Sequence, residues 1–396
     1  MGIEGVSHVM RVVVLGAGYA GLATARRLER SLPAAADLVV VNDSPDHLVQ
    51  HELHRVLRKP ALANDLSVSL PRVLSRASVE VDRVESVDRE NRTVSLSSGT
   101  LSYDVGVLAL GAATAYYDIA AAREHGIELK RLRDAHRIRA RTRELLTRDE
   151  ARIVVVGAGL SGIQVAGELA AFGRDRGRED AVSVTLCEQL DTVAPGFSEP
   201  FQDAVANALD SQGVAVRTDA TVVDADEETV ELSDGSIESD LLVWTAGICG
   251  QDALDGVRPT VGSNLRLDDR LFACGDAATV VDEAGEPIPA SAQAALGQAK
   301  TVAKNVTRVV EALEAGDSAD EPRLDHYSFD SPGWLVSVGD ETVAQVGGKA
   351  VTGTAARAMK ATVGLRYLSA VGEYGRGTHL ATEEVGLGGV LGGNRD

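Results

Sequence analysis

Gly16-Ala17-Gly18-Tyr19-Ala20-Gly21 follows the apolar run Arg11-Val12-Val13-Val14-Leu15, and Gly157-Ala158-Gly159-Leu160-Ser161-Gly162, 141 residues further on, follows Arg152-Ile153-Val154-Val155-Val156. Each run of β-branched residues predicts a buried parallel strand, and each glycine cluster is followed by an Ala/Leu-rich stretch typical of a helix. In G-x-G-x-x-G, the first Gly permits a tight turn, the second lets the backbone approach a pyrophosphate, and the third lets helix and strand pack closely. The two copies therefore predict two dinucleotide sites, each at a helix N-terminus.

The two halves of the chain follow one plan. Each βαβ unit is followed by short alternating segments that predict a β-meander, at 79–101 and 215–234. Each meander leads into an apolar strand that ends in glycine, at Gly111 in the first half and Gly247 in the second. A further apolar strand, 271–274, is closed by Gly275-Asp276. We interpret this duplication as two similar domains rather than a solenoid.

The second strand of each unit ends in polar residues that suit a ribose. A dinucleotide site normally has an acid there, which accepts a hydrogen bond from a ribose hydroxyl. The first unit offers Asn42 and Asp43, and the sequence leaves open which of them reaches the ribose. The second unit offers Glu188, with no Arg or Lys directly after it, which favours NADH over its 2′-phosphorylated form.

The charge of the chain argues against nucleic acid as a partner. Against 39 Lys and Arg stand 59 Asp and Glu, giving a net charge of −20, and only six of the 39 are Lys. No basic footprint large enough to neutralise several phosphates is evident. An acidic, Lys-poor surface is instead typical of proteins kept soluble at very high salt, so we expect a halophilic protein.

The cysteines and the hydropathy profile argue against a disulfide-stabilised, zinc-binding or membrane-spanning protein. Cys187, Cys249 and Cys274 are widely spaced and odd in number, so they predict neither a disulfide framework nor a zinc site. No signal segment and no run of 18 apolar residues is evident, and we expect a cytoplasmic body.

A predicted helical stretch at 45–62 carries His47, His51 and His54 at a spacing that would share one helical face. Metal binding is one interpretation of this spacing. Packed or solvated histidines are the commoner case, and we predict no metal site.

Between Glu341 and Glu373 the chain has no acidic residue, although Lys349, Arg357, Lys360 and Arg366 fall in the gap. A predicted helix over 354–371 repeats Ala355, Met359, Val363 and Tyr367 at four-residue spacing. An apolar strip beside cations is typical of a helix that lies on an anionic bilayer, so 354–372 is a candidate peripheral membrane contact. A homodimer interface or a core-facing helix are the alternatives.

Further segments resemble a known family: 46–50 after the first unit, 132–139, Ala166-Gly167-Glu168-Leu169, Val243-Trp244-Thr245-Ala246-Gly247, Gly275-Asp276 and Ala292-Gln293-Ala294-Ala295. Together they resemble the type II NADH dehydrogenases, single-chain NADH:quinone oxidoreductases of the FAD/NAD(P)-binding pyridine nucleotide-disulfide reductase-like superfamily, over nearly the whole chain. The resemblance implies FAD on the first fingerprint and NADH on the second. It also implies a ribitol contact for Asp276, a place for Gln293 beside the flavin ring at the quinone pocket, and a quinone contact for Gln298. We name Glu168 as the acid for proton delivery.

The sequence also departs from the family pattern. Gln164 stands where Glu is usual near the nicotinamide amide, Leu110 replaces a Thr, and Gly297 stands where a second pocket glutamine is expected. The full set of predicted cofactor-binding residues is Gly16, Gly18, Tyr19, Ala20, Gly21, Asn42, Asp43, His47, Val84, Gly111, Gly275 and Asp276 for FAD, and Gly157, Gly159, Leu160, Ser161, Gly162, Gln164, Glu188 and Gly247 for NADH.

We therefore expect an α/β protein with two Rossmann-like FAD/NAD(P)-binding domains of the three-layer ββα type and a small C-terminal α+β region. The expected bounds are 1–115 with 251–320 for the FAD-binding domain, 116–250 for the NADH-binding domain and 321–396 for the C-terminal domain. The expected activity is FAD-dependent oxidation of NADH with a membrane quinone as acceptor. Two alternatives remain: a soluble reductase with a protein or oxygen acceptor, and a redox sensor without useful turnover. Sulfide oxidation fits poorly because no second cysteine follows Cys274.

Overall fold

The computed structural model describes residues 9–384. They divide into two compact units. The first comprises 9–48, 68–113 and 248–330, and the second comprises 49–67, 114–247 and the chain from 331 onwards.

The strands are β1 (Arg11–Leu15), β2 (Asp37–Asn42), β3 (Asp46–Leu48), β4 (Ser67–Ser69), β5 (Ser78–Val81), β6 (Val84–Asp88), β7 (Thr93–Leu96), β8 (Gly99–Ser102), β9 (Val105–Leu108), β10 (Ala113–Thr114), β11 (Ala151–Val156), β12 (Val182–Cys187), β13 (Val214–Arg217), β14 (Val222–Ala225), β15 (Thr229–Leu232), β16 (Gly235–Glu238), β17 (Leu241–Trp244), β18 (Ile248–Cys249), β19 (Thr260–Val261), β20 (Leu271–Ala273), β21 (Thr279–Val280), β22 (Trp334–Val338), β23 (Glu341–Val346) and β24 (Lys349–Thr352).

The helices are α1 (Tyr19–Ser31), α2 (Ala63–Leu66), α3 (Leu70–Val73), α4 (Ala120–His125), α5 (Leu132–Leu145), α6 (Leu160–Arg174), α7 (Glu199–Ser211), α8 (Ala292–Ala315), α9 (Gly353–Ala370) and α10 (Tyr374–Glu384). Short 3-10 segments span Gln50–Leu57, Pro60–Leu62, Asp252–Leu254 and Gly275–Ala277.

The first unit is built on a five-stranded parallel sheet in the order β20-β9-β1-β2-β5. β1 is the central strand, and its residues Val12, Val13 and Val14 are fully buried, as a run of β-branched residues predicts for a strand covered on both faces. Helices α1 and α8 pack against the sheet and each other, and an antiparallel meander, β6-β7-β8, forms the remaining layer. The predicted ββα fold is confirmed.

The second unit repeats this plan with a four-stranded parallel sheet in the order β13-β12-β11-β17. Helix α6 packs on β11 and β12, and β14-β15-β16 form the second meander. Trp244, at the end of β17, is buried against the meander, and its indole Nε1 donates to Ala115 O at 2.8 Å. Both meanders are shorter than the sequence predicts, because 78–81 and 214–217 are edge strands of the parallel sheets.

The C-terminal region is α+β, as predicted: an antiparallel sheet, β22-β23-β24, with α9 on β23 and α10 on α9. From residue 331 it packs into the second unit, because β22 and β23 lie on α6 and α7. Gly167 of α6 permits this packing, since a Cβ there would stand 2.4 Å from Gly339 N. Residues 49–67 belong to the same unit because segment Gln50–Leu57 packs on α5 and α6.

The predicted helix at 45–62 is wrong. Asp46–Leu48 form a strand, and Gln50–Leu57 form a 3-10 segment. His47 therefore does not share a helical face with His51 and His54. Across residues 9–384, no group of three or more His, Cys, Asp or Glu side chains is placed to hold a metal ion.

Candidate functional sites: two dinucleotide cradles and a buried charge cluster

The first glycine turn joins the carboxyl end of β1 to the N-terminus of α1. Gly16 has φ +95°, a conformation that favours glycine, and a Cβ on Gly21 would stand 1.8 Å from Gly16 O. Gly18 caps the helix without a side-chain hydrogen bond and faces open space, so backbone N–H groups there can approach a ligand. The first turn of α1 has no acidic residue. This cradle fits the pyrophosphate of a dinucleotide.

Two side chains stabilise this turn through hydrogen bonds to the backbone of Ala17. Asn42 Oδ1 accepts from Ala17 N at 2.8 Å, and Asn42 Nδ2 donates to Ser44 O at 2.8 Å. His47 is buried, its Nδ1 donates to Ala17 O at 2.9 Å, and its ring stands edge-on to Tyr19. Asp43, the residue directly after β2, is exposed. Both Asn42 and His47 thus act on the shape of the turn.

The neighbouring strand ends bring the other predicted FAD residues to the same edge of the sheet. β9 leads to Gly111, and β20 leads through Cys274 to Gly275 and Asp276. Since parallel strands end on one edge, these residues flank the first glycine turn at the point where the strand order reverses, which is where open α/β sheets bind ligands. Val84 is buried at the start of β6, where it pairs with Leu96.

Two contacts fix the Gly275-Asp276 turn. Gln298 is buried on α8, and its Oε1 accepts from Gly275 N at 2.7 Å. Arg258 donates from Nε to Asp276 O at 2.7 Å and from Nη2 to Ala278 O at 2.8 Å. The sequence did not indicate Arg258, and it assigned Gln298 to the quinone rather than to this turn.

Helix α8 begins with a capping hydrogen bond from Ala294 N to Ser291 Oγ at 3.1 Å, and Gln293 is half-buried in its first turn. One turn later, Gly297 lies under the ring of Tyr327, since a Cβ on Gly297 would stand 2.8 Å from Tyr327 Oη. Tyr327 therefore fills space that a longer side chain at 297 would need. Burial raises the pKa of Tyr327 to about 12.

The second glycine turn repeats the geometry of the first. Gly157 has φ +96°, a Cβ on Gly162 would stand 1.8 Å from Gly157 O, and Gly159 faces open space at the N-terminus of α6. Leu160 and Gln164 are half-buried and Ser161 is exposed in the first turns of α6. This cradle also fits a pyrophosphate.

Glu188 is buried behind this turn, as Asn42 is behind the first. Its Oε2 accepts from Ala158 N at 2.7 Å, and its Oε1 accepts from Leu190 N at 3.0 Å. Thr245, which directly follows β17, donates from Oγ1 to Val156 O at 2.7 Å and stabilises the turn. From the sequence, Thr245 had no role beyond the family resemblance of 243–247. Gly247 has φ +71°, and a Cβ there would stand 1.9 Å from Tyr117 Oη, so the tyrosine lies directly over it.

Glu168 lies two turns along α6 and is buried. Its Oε2 stands 3.7 Å from Arg58 Nη1. Burial raises the pKa of Glu168 to about 7, although Arg58, Lys360 and Arg55 oppose this. A carboxyl with this pKa can gain or lose a proton near neutral pH.

A cluster of four ionic side chains lies in the same unit: Glu52, Arg55 and Lys360 are buried, and the side chain of Glu384 is 10% exposed. Arg55 Nη1 stands 3.0 Å from Glu52 Oε2 and 3.4 Å from Glu384 Oε2, and Lys360 Nζ stands 3.7 Å and 3.2 Å from the same two oxygens. Lys360 also donates to Ser337 Oγ. Burial alone would raise the pKa of Glu52, but Lys360 and Arg55 lower it overall. Each cation thus contacts two carboxylates.

His54 is buried beside this cluster, and its Nε2 has no hydrogen-bond partner among the described residues. Burial and then Lys360 lower the pKa of His54 well below its ordinary value. Burial also lowers the pKa of the half-buried His51, although Glu52 opposes this. Both behave as packed histidines.

The comparisons with known proteins agree with this architecture. Residues 10–299 match the pyridine nucleotide-disulphide oxidoreductase family, and the chain belongs to it. A type II NADH:quinone oxidoreductase of Staphylococcus aureus (strain NCTC 8325 / PS 47) is 26% identical over 405 residues, covering 92% of this chain and 96% of that protein. The predicted resemblance to type II NADH dehydrogenases is confirmed.

Two solved structures show the same fold. NDH2 from Plasmodium falciparum in complex with NADH has a TM-score of 0.81 at 14% identity, covering 97% of this chain and 99% of that chain. The sulfide:quinone oxidoreductase of Aquifex aeolicus has a TM-score of 0.78 at 17% identity, covering 97% and 96%. In this chain Cys187 and Cys274 are buried, and burial raises the pKa of their thiols to about 11 and about 12.

Proposed function

We propose that this protein is an FAD-dependent NADH dehydrogenase that passes electrons from NADH to a quinone. The observation that carries the proposal is the pair of glycine cradles, one in each unit, each open at its second glycine and free of acidic residues in the first helical turn. The relative named for the same reaction spans 92% of the chain. When bound, FAD supplies a ring that accepts hydride from NADH and is reoxidised by the quinone.

In the first unit, we propose that N–H groups around Gly18 hold the FAD pyrophosphate and that Asp276 holds the ribitol. Asn42 already contacts the backbone of the turn through both side-chain atoms. We therefore assign Asp43, exposed at the tip, to the adenosine ribose. The remaining residues predicted for FAD shape the site; they are Gly16, Tyr19, Ala20, Gly21, His47, Val84, Gly111 and Gly275.

In the second unit, we propose that Gly159, Leu160 and Ser161 hold the NADH pyrophosphate, with Gln164 and Gly247 towards the nicotinamide. Glu188 fixes the turn and places negative charge where a 2′-phosphate would lie. This repulsion favours NADH over NADPH.

We propose Gln293 as the quinone contact on α8. Gln298 supports the Gly275-Asp276 turn instead, because its carboxamide oxygen already accepts from Gly275 N. Glu168 is proposed to hold or release the proton at its Oε2 as the quinone is reduced. Most of the remaining catalysis is positioning, which needs no side-chain nucleophile.

A membrane quinone requires contact with a bilayer, and no helix within residues 9–384 is long and apolar enough to cross one. We propose that the protein is cytoplasmic and binds the inner face of the cell membrane through α9. Ala355, Met359 and Val363 form an exposed apolar strip on this helix. Tyr367 and Lys360, which the sequence placed with this strip and its cations, are buried. The alternative occupant of the strip is a second copy of the chain.

Steady-state rates separate the proposal from a soluble reductase. The protein should oxidise NADH faster with a water-soluble quinone than with a ferredoxin-like protein or oxygen, and Gln293→Ala should slow the quinone reaction more than a ferricyanide reaction. Equal rates with all acceptors, or an unchanged quinone KM in the variant, would favour the soluble reductase.

A further inference from the structure

The segment 130–148, which includes α5, reverses the charge of the chain and is a local basic patch, contrary to the expectation drawn from the net charge of −20. It contains eight Lys and Arg but only two acids, Asp134 and Glu144, in a protein with 59 acidic and 39 basic residues. Within the second unit its exposed side chains form what we call the arginine face, which consists of Arg133, Arg137, Arg141 and Arg143 of α5 and Arg176, just beyond α6.

Few carboxylates neutralise the arginine face. Arg141 Nη1 pairs with Glu144 Oε2 at 2.8 Å, and Arg133 Nε stands 3.6 Å from Asp134 Oδ1. Asp134 also accepts from Arg131 N at 2.8 Å, where it caps the helix. Arg137, Arg143 and Arg176 make no ion pair with any residue from 9 to 384.

Arg139 lies between these cations but has a packing role. Its guanidinium stands 4.9 Å from the Phe172 ring centroid, as that of Arg176 does at 5.0 Å, and its Nη1 donates to Leu57 O at 2.6 Å. Burial lowers the pKa of Arg139, and Arg143 and Arg176 lower it further. Arg137, Arg143 and Arg176 therefore leave an excess of positive charge around α5, because no carboxylate within residues 9–384 pairs with them.

The exposed arginines are not needed to form α5. The helix packs through Ala135, Ile138 and Leu145, which are fully buried. Arg133, Arg137 and Arg141 follow each other at four-residue spacing, where like charges destabilise a helix. An external anion would remove this repulsion.

We propose that the arginine face binds the phosphate head groups of an anionic membrane. Arginine presents a fork that matches phosphate, and clusters of four to eight basic residues on an amphipathic helix are typical of binding to anionic lipid. Besides the arginines, the outer face of α5 carries His136, Ala140 and Glu144, all exposed, so it offers no apolar anchor of the kind that dominates protein interfaces. The inference rests on the proposed function, because a lipid-soluble acceptor brings the enzyme to a bilayer.

The arginine face complements the strip on α9. Only Met359 and Val363 of that strip are large, and a single weak membrane signal gives marginal binding that a polybasic patch strengthens. Guanidinium–phosphate contacts form within about 3 Å, which is also the screening length near 1 M salt, so direct contacts persist where longer-range attraction does not.

The test is vesicle co-sedimentation with the full-length, flavin-loaded protein. The variant is Arg133→Gln/Arg137→Gln/Arg143→Gln. The control, Arg30→Gln/Arg92→Gln/Arg323→Gln, removes the same charge from exposed arginines of the first unit. Phosphatidylcholine vesicles with and without about a third phosphatidylglycerol are compared at a salt concentration where circular dichroism shows all three proteins folded.

We expect preferential binding to the anionic vesicles. The arginine-face variant should lose most of its partition to the anionic vesicles, on the order of a hundred-fold if the proteins are folded at about 0.15 M salt and less at higher salt, and the control only a minor part of that. Binding that is equal on neutral vesicles, or equal losses in both variants, would overturn the proposal. A change of mass in light scattering without a change in vesicle binding would also overturn it, by assigning the face to a second copy or to another protein. NADH bleaching of the flavin, measured in the same samples, reports separately on the proposed function.

Discussion

Glu188 Oε2 accepts a 2.7 Å hydrogen bond from the backbone amide of Ala158, the residue between the first two glycines of the second cradle. Asn42 makes the equivalent 2.8 Å contact with Ala17 in the first cradle. In both units, a side chain at the end of the second strand accepts a hydrogen bond from the glycine turn. That side chain is a neutral amide in the first unit and a carboxylate in the second. Only the second places a carboxylate beside the site that we assign to the adenosine ribose of NADH.

Glu188→Gln should weaken discrimination against NADPH. The amide retains an acceptor for Ala158 N but removes the negative charge, so the turn should persist while repulsion of a 2′-phosphate falls. We expect the ratio of kcat/KM for NADH over NADPH to drop by about ten-fold, with NADH binding weakened less. An unchanged ratio would mean that Glu188 only shapes the turn.

Gly159 and Gly162 should respond differently to the same substitution. A methyl group on Gly159 meets no protein atom within 4 Å, whereas one on Gly162 would stand 1.8 Å from Gly157 O. Gly159→Ala should therefore change the free energy of unfolding by less than about 1 kcal/mol but weaken NADH binding at least about ten-fold. Gly162→Ala should lower the stability itself.

Urea unfolding and NADH titration of the two glycine variants measure both effects. If Gly159→Ala bound NADH normally, the pyrophosphate would not lie where we place it.

Glu168 should make stability and turnover depend on pH. Burial raises its pKa to about 7 from 4.5, so between these values the folded protein binds a proton that the unfolded chain does not. The stabilisation is complete below about pH 4.5 and is lost as pH rises to about 7. It amounts to about 3 kcal/mol. Glu168→Gln should remove this dependence.

The measurement is urea unfolding of wild type and Glu168→Gln between pH 5 and pH 8, together with quinone reductase rates. The stability of the variant relative to wild type should increase with pH, and an inflection of kcat near pH 7 should disappear. Parallel stability curves would place the pKa of Glu168 at its ordinary value.

The buried charge cluster should be sensitive to the loss of one member. Lys360→Met removes one of the two cations that contact both Glu52 and Glu384, and breaking such a buried pair costs about 3–5 kcal/mol. Arg141→Gln breaks an exposed pair with Glu144 and should cost less than about 1 kcal/mol. The urea midpoints of the two variants and of wild type measure this difference. Similar losses of stability in both variants would show that water reaches the cluster.

The sequence predicted the features that depend on neighbouring residues. β1 and β11, the glycine turns after them and the helices that follow were all predicted, because strand, turn and helix propensities act within about twenty residues. Glu188 and Asn42 were found because they end the next strand of the same unit.

Contacts between distant segments were not predictable in this way. Gln298 accepts from Gly275 N across 23 residues, and Arg258 acts on Asp276 from 18 residues before it. His47 suited a helical spacing, but its hydrogen bond to Ala17 O accompanies a strand conformation. The cluster of Glu52 and Lys360 needs packing that no local pattern encodes.

Absorbance spectroscopy of the purified protein, before and after anaerobic addition of NADH, tests the central claim most directly. The account predicts a bound flavin spectrum that bleaches within seconds of NADH addition and returns when a quinone is added. A colourless protein that does not take up FAD, or a bound flavin that NADH leaves oxidised, would contradict it.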